Sequence, residues 1–247
     1  MMDLHIINGL DLATLWSGTC CGAYSAWLIY NAVNHPGKFL TLTYWTLCVH
    51  VLYHAIDKST TWARLCVLML HGVAWTGAIS VFIGYGVMAW FGSWHHGSWL
   101  AWENAMCRLN NVPIDPFPVK LVKNLFVHAW PVVAMFVDLQ LSWPALNRIY
   151  SSLSGPAAWV GVAWVQLGFF CFGNAWQKLT CSVRPSGKGT DTVERYQADP
   201  AVRKWLGRND DFLFSLLVKL SGTAVALLIN TIWVLPLLFR GGEPGQL

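Results

Sequence analysis

Charge is what this chain has least of. Only 11 per cent of its 247 residues are Asp, Glu, Lys or Arg, where a soluble domain carries about a quarter. The net charge of +4 is too small to mark a nucleic-acid-binding surface and reads as membrane orientation. The seven cysteines (Cys20, Cys21, Cys48, Cys66, Cys107, Cys171 and Cys181) show no CxxC spacing, are odd in number and fall mostly in apolar runs. That argues against a zinc site or a disulfide framework and leaves them as small apolar core residues, so no metal or cofactor is expected. There is no internal repeat and no low-complexity segment, so one domain over 1–247 is the simplest reading. The opening MMDLHIINGLDLATLW lacks the basic start and cleavage site of a secretory signal and the Arg-rich character of a transit peptide. The first apolar span is therefore expected to serve as its own uncleaved targeting signal.

What the chain does have is apolar length. Hydrophobic residues make up 55 per cent, the mean hydropathy is +0.44, and there are 16 Trp, the residue most at home at a membrane–water boundary. A spanning helix needs about 20 mostly apolar residues. Six stretches meet or approach that length: about 13–33, 39–56, 65–91, 119–141, 156–176 and 212–238. The expected fold class is accordingly all-α, a polytopic membrane helical bundle. Pro36-Gly37 breaks the chain between the first two stretches, Asp57-Lys58-Ser59-Thr60 marks the next turn, and Pro144 and Gly155-Pro156 bracket the turn between the fourth and fifth. The Trp-rich part of 92–118 suits a short interfacial helix, with His95 and His96 in a solvated loop. In the polar stretch 177–211, Asp199-Pro200 and Gly207 bracket a short basic helix over 201–206.

With six spans, the connections after the first, third and fifth lie on one side with eleven Lys and Arg, against four on the other. The richer side should face the cytoplasm or, in a mitochondrion, the matrix. The composition does not separate an endomembrane from a mitochondrial inner membrane.

Ionisable groups inside an apolar span mark candidate sites. Here they are His50, His54, His71, His128, Asp138 and Lys219, to which Thr41 is added as a possible nucleophile. Thr41 opens the second span, His128 lies in the first half of the fourth, and Lys219 is about two turns into the sixth. At 1.5 Å per residue their depths agree within roughly 10 Å. Asn124 shares a helical face with His128, and Tyr44 and Cys48 share one with Thr41. A hydroxyl beside an imidazole is a known route to a nucleophile for ester carbonyls. The plainer alternatives are that Thr41 bonds its own backbone and that Lys219 snorkels to the interface. A second group, His50, His54, His71 and Asp138, lies towards the other side. It could hold a metal or haem or relay protons, or its members could simply bond one another.

Two segments resemble a known family. Gly37 to Trp45 (GKFLTLTYW) is similar to the Lys-aromatic-Leu-Thr motif that opens the second span in the androgen-induced membrane protein family. Asn124 to Asp138 (NLFVHAWPVVAMFVD) is similar to its fourth-span segment, where an Asn precedes an essential His by four residues and an acidic residue follows by about ten. The resemblance implies a multispanning threonine hydrolase of fatty acid esters of hydroxy fatty acids, with Thr41 as nucleophile and His128 as its base. In the mechanism this suggests, Asn124, Lys219 and Tyr44, placed by their helical faces and depth, would be supporting or substrate-binding residues. The second His that often lies between the family's Asn and its essential His is replaced by the Leu125-Phe126-Val127 stretch. The 177–211 connection is also longer and more charged than the family's layout implies. Membrane lipids are the expected partners. The alternative is a non-catalytic subunit of a larger membrane complex, such as a respiratory or ATP synthase assembly, with other membrane subunits as partners.

Overall fold

The computed structural model describes residues 11–34, 42–58, 60, 63–109 and 113–151. Thr41, Lys219, the expected fifth and sixth spans and the basic helix over 201–206 lie outside the described residues. The described residues are all helical: α1 (Leu12–Asn34), α2 (Leu42–Ala55), α3 (Arg64–His96), α4 (Trp99–Leu109), α5 (Phe117–Leu141) and α6 (Trp143–Ser151). Two of them are long and apolar enough to cross a membrane, α3 over Cys66–His96 and α5 over Phe117–Leu141.

Local chemistry sets the ends. The Asp11 carboxylate accepts from the Ala13 N–H at 3.2 Å and caps α1. α3 runs past its apolar stretch and stops only at Gly97, whose φ of 81° is a left-handed conformation that glycine adopts without strain. His95 and His96 therefore belong to the last turn of α3, not to a loop. The expectation ended the helix where the hydrophobic run ended, whereas backbone hydrogen bonding continues to the glycine stop. Ser98 follows at once, its Oγ accepting from the Ala101 N–H at 3.1 Å, and starts α4. This is the Trp-rich helix expected in that connection. Pro144, expected to bound the turn after the fourth apolar stretch, sits in the first turn of α6, where its missing N–H has no intrahelical partner to lose. The change of direction falls on Ser142 alone, between α5 and α6.

α5 contains a π-helical turn over Leu125–Ala129, where the Trp130 N–H donates to the Leu125 carbonyl five residues back. The sequence supplies the reason. Pro131 has no N–H for the Val127 carbonyl, and its ring crowds that carbonyl, so the ladder widens by one residue just ahead of it. His128 sits in this widened turn.

Pairings between helices give the topology. Asn31 meets Tyr44, Tyr24 meets His50 and Ser17 meets Lys58, so α1 and α2 are antiparallel. Tyr24 meets Phe126 while Trp16 meets Trp130, so α5 is antiparallel to α1 and parallel to α2. Trp75 on Phe136 and Tyr85 on His128 set α3 antiparallel to α5. The result is an up-down-up-down arrangement of α1, α2, α3 and α5, with α4 in the connection before α5 and α6 folded back beside it. The larger core cluster joins Tyr53, Val67, Trp75, Met135, Leu139, Leu146 and Ile149. A second joins Cys20, Tyr24, Leu47, Val127 and Ala134.

α2 and α3 approach closely because position 77 has no side chain. A Cβ there would lie 2.7 Å from Thr46 Oγ1, and Thr46 is buried with nowhere to retreat. Gly77→Ala should therefore cost about 1–3 kcal/mol, the usual range for overpacking. It would be read as a lower thermal midpoint in detergent. Adding Thr46→Ala should restore most of the loss, and failure to do so would place the strain elsewhere.

Candidate active site

Polar side chains gather at two levels of the bundle. The first is centred on Asp138, fully buried near the end of α5. Tyr53 Oη donates to its Oδ2 at 2.5 Å, Lys58 Nζ donates to Oδ1, and Ser142 Oγ donates to Oδ1 at 3.1 Å. Lys58 Nζ also donates to Ser17 Oγ at 3.1 Å and Ser142 Oγ at 3.3 Å, and lies 4.5 Å from the Tyr53 ring centroid. The ion pair thus ties α1, α5, the end of α2 and the α5–α6 corner together. A buried pair holds only when its remaining protons and lone pairs are taken up, as they are here.

Of the histidines expected near Asp138, His54 comes within 4.0 Å of its Oδ1 through Nδ1. His71 Nε2 accepts from Trp75 Nε1 at 2.9 Å, which leaves its proton on Nδ1. His50 stacks obliquely on Tyr24 and is set towards the Ala74 carbonyl, with no hydrogen bond in good geometry at either nitrogen. Among the described residues no three His, Cys, Asp or Glu side chains converge to hold a metal ion, so the metal alternative for this group gains no support. Lys58 and Tyr53 were missed as the partners of Asp138. A signal was present: the second and fourth apolar stretches are expected to run parallel, so the cation just after one lies level with the acid near the end of the other.

The second level surrounds His128. Its imidazole lies face to face with the Tyr85 phenol, centroids 3.9 Å apart and planes 5° from parallel. The buried His128 Nδ1 makes no hydrogen bond. Tyr85 Oη donates to Glu103 Oε1 at 2.6 Å and accepts from Trp99 Nε1 at 2.9 Å. Both partners come from α4, which docks through Trp102. That ring is buried and fits against Gly92, where any Cβ would overlap the indole. Burial pushes the Glu103 carboxyl above the ordinary carboxylate range, opposed by the Tyr85 hydrogen bond and the nearby Lys120 charge. Lys120, itself buried, donates to Asn104 Oδ1 at 2.5 Å.

Asn124 Nδ2 donates to the Lys120 carbonyl at 3.1 Å, and the side chain also faces Glu103. It bonds neither nitrogen of His128, because the π turn between them needs five residues to close and four no longer bring two side chains into line. Tyr44 is buried with its hydroxyl donating to Asn31 Oδ1 at 2.9 Å, so it braces α2 against α1. Cys48, on the same expected face as Thr41, is half-buried. α2 packs against the π turn, so the helix that follows Thr41 directly is a neighbour of the His128 turn. Glu103 and Tyr85 were not singled out in the sequence. Glu103 lies in an otherwise uncharged Trp-rich run, and only the folded connection brings it to His128.

Comparison with protein families, with curated proteins and with solved structures finds no match to this chain.

Proposed function

We propose that the chain is a multi-pass integral membrane protein of about six spans, a divergent member of the androgen-induced membrane protein family, that hydrolyses lipid esters. The observation that carries this reading is the state of His128. It is held face-on by Tyr85, in a turn widened by Pro131, with Nδ1 buried and unpartnered. π turns inside α-helices are frequent at functional sites. An imidazole fixed in plane but not consumed by a structural hydrogen bond is what a general base requires. Membrane insertion is supported by the two long apolar helices and by the outer face of α5, where Val122, Leu125, Val133 and Phe136 are exposed.

In this reading His128 takes the proton of the Thr41 hydroxyl as Thr41 Oγ attacks the ester carbonyl. The tetrahedral intermediate collapses to an acyl-threonine, and the departing alkoxide takes the proton back from His128. Water then attacks the acyl-threonine, with His128 as base for its proton. That proton returns to Thr41 as the carboxylic acid leaves. In the same reading Lys219 would attract a free substrate carboxylate, and acyl chains would lie against Trp, Phe and Leu side chains.

The test is turnover by the purified full chain in lipid nanodiscs supplied with a fatty acid ester of a hydroxy fatty acid. Mass spectrometry should find fatty acid and hydroxy fatty acid released in equal amounts. Thr41→Ala should abolish release. An inert wild-type protein, or a Thr41→Ala variant with unchanged turnover, would overturn the proposal.

A further inference from the structure

We infer that Glu103 and Tyr85 are positioning residues for His128, acting as a relay in which a carboxylate orients and electrostatically supports the base through a stacked phenol. The inference rests on the hydrolase reading given above. It concerns residues that neither the family motif nor the spacing of polar groups picks out.

The argument begins with the ring contact. A centroid separation of 3.9 Å with planes 5° from parallel is a close parallel stack. The stack is strengthened when the imidazole carries positive charge, because a cation is drawn to the electron-rich face of a phenol. His128 carries that charge only after it has taken a proton, so the contact is stronger in the charged state than in the resting one. Interactions of that kind speed a reaction instead of merely tightening binding.

Tyr85 is moreover not an ordinary phenol. Its hydroxyl donates to the Glu103 carboxylate at 2.6 Å, a short charge-assisted bond. That bond moves negative charge towards the ring His128 faces. The Trp99 indole N–H on the same oxygen fixes the phenol in plane. Glu103 is held in turn by α4, through the Trp102–Gly92 contact, and lies near Lys120 and Asn124. Each member has a rigid mount, so the imidazole cannot rotate without breaking the Tyr85–Glu103 bond or separating the rings. This is the part a carboxylate plays directly on the imidazole in serine hydrolases, delivered here through the face of a stacked ring.

The test uses Glu103→Gln, Tyr85→Phe and the double variant in nanodiscs. Each single change should lower kcat roughly 10–100-fold with little change in KM. The double variant should be no slower than the slower single one, because both break the same link. Multiplicative losses, or losses confined to KM, would overturn the inference. A second measurement does not depend on turnover: the rate of His128 modification by diethyl pyrocarbonate, followed by peptide mass spectrometry. Tyr85→Leu removes the covering ring and should raise that rate several-fold, with Glu103→Gln intermediate. Unchanged modification in both variants would overturn the relay even if the wild-type protein hydrolyses esters. Faster modification beside an inert wild-type protein would retain the mount and reject the hydrolase reading.

Discussion

Replacing Lys58 with Met should destabilise the protein by about 3–5 kcal/mol, the range for removing one member of a buried ion pair. Asp138 is fully buried, and after the change its hydrogen bonds would come from the Tyr53 and Ser142 hydroxyls, with His54 Nδ1 4.0 Å away. The cost comes less from the lost attraction than from the carboxylate left without a counter-charge. The double variant Lys58→Met with Asp138→Leu should therefore recover most of the loss, since it removes the stranded charge along with its partner. Thermal unfolding in nanodiscs, followed by the Trp fluorescence, would read both. Equal losses in the single and double variants would show that the hydroxyls and not the charges carry the junction. Lys58→Met should leave the Tyr85–His128 stack in place, because Asp138 lies ten residues beyond His128, roughly 15 Å along α5 at the helical rise. Stability and ester turnover at working temperature should then separate.

The apolar runs sufficed to locate α1, α2, α3 and α5 to within a few residues, because burying apolar surface sets where such helices lie. Helix ends were legible only where punctuation was read. Gly97 extends α3 to His96, and Ser98 opens α4 one residue later. Pro144 lies just past the corner at Ser142, inside the first turn of α6, since proline suits either a break or a first turn and only the packed chain chooses between them. His128 and Asp138 stand out by residue type and depth, and Asn124 and Tyr44 by the helical faces expected to be shared with His128 and Thr41. Their partners do not, because helix rotation depends on packing. The spacing rule that aligned Asn124 with His128 assumes an unbroken α-helix. Pro131 was visible in the sequence, and reading its lost N–H as a local widening would have corrected the alignment. Glu103 stayed hidden for another reason: its importance comes from a tertiary contact across the α3–α4 turn that leaves no periodic trace.

His128→Ala should lower kcat for ester hydrolysis by about 10²–10⁴-fold, the contribution typical of a positioned general base. The protein should stay folded, since the residue is half-buried and Tyr85 keeps its bonds to Glu103 and Trp99. Pro131→Ala separates chemistry from geometry more sharply. It restores an N–H at position 131, which lets the Val127 carbonyl regain its partner and the π turn relax towards α-helix. Stability should hold or rise, because proline inside a helix costs about 3 kcal/mol relative to Ala. The relaxed turn would rotate His128 away from the Tyr85 face and from the helix that follows Thr41, so turnover should fall while the thermal midpoint does not. A Pro131→Ala protein that is both stable and fully active would mean that the widened turn is a packing accommodation and that hydrolysis does not need the orientation the stack gives His128.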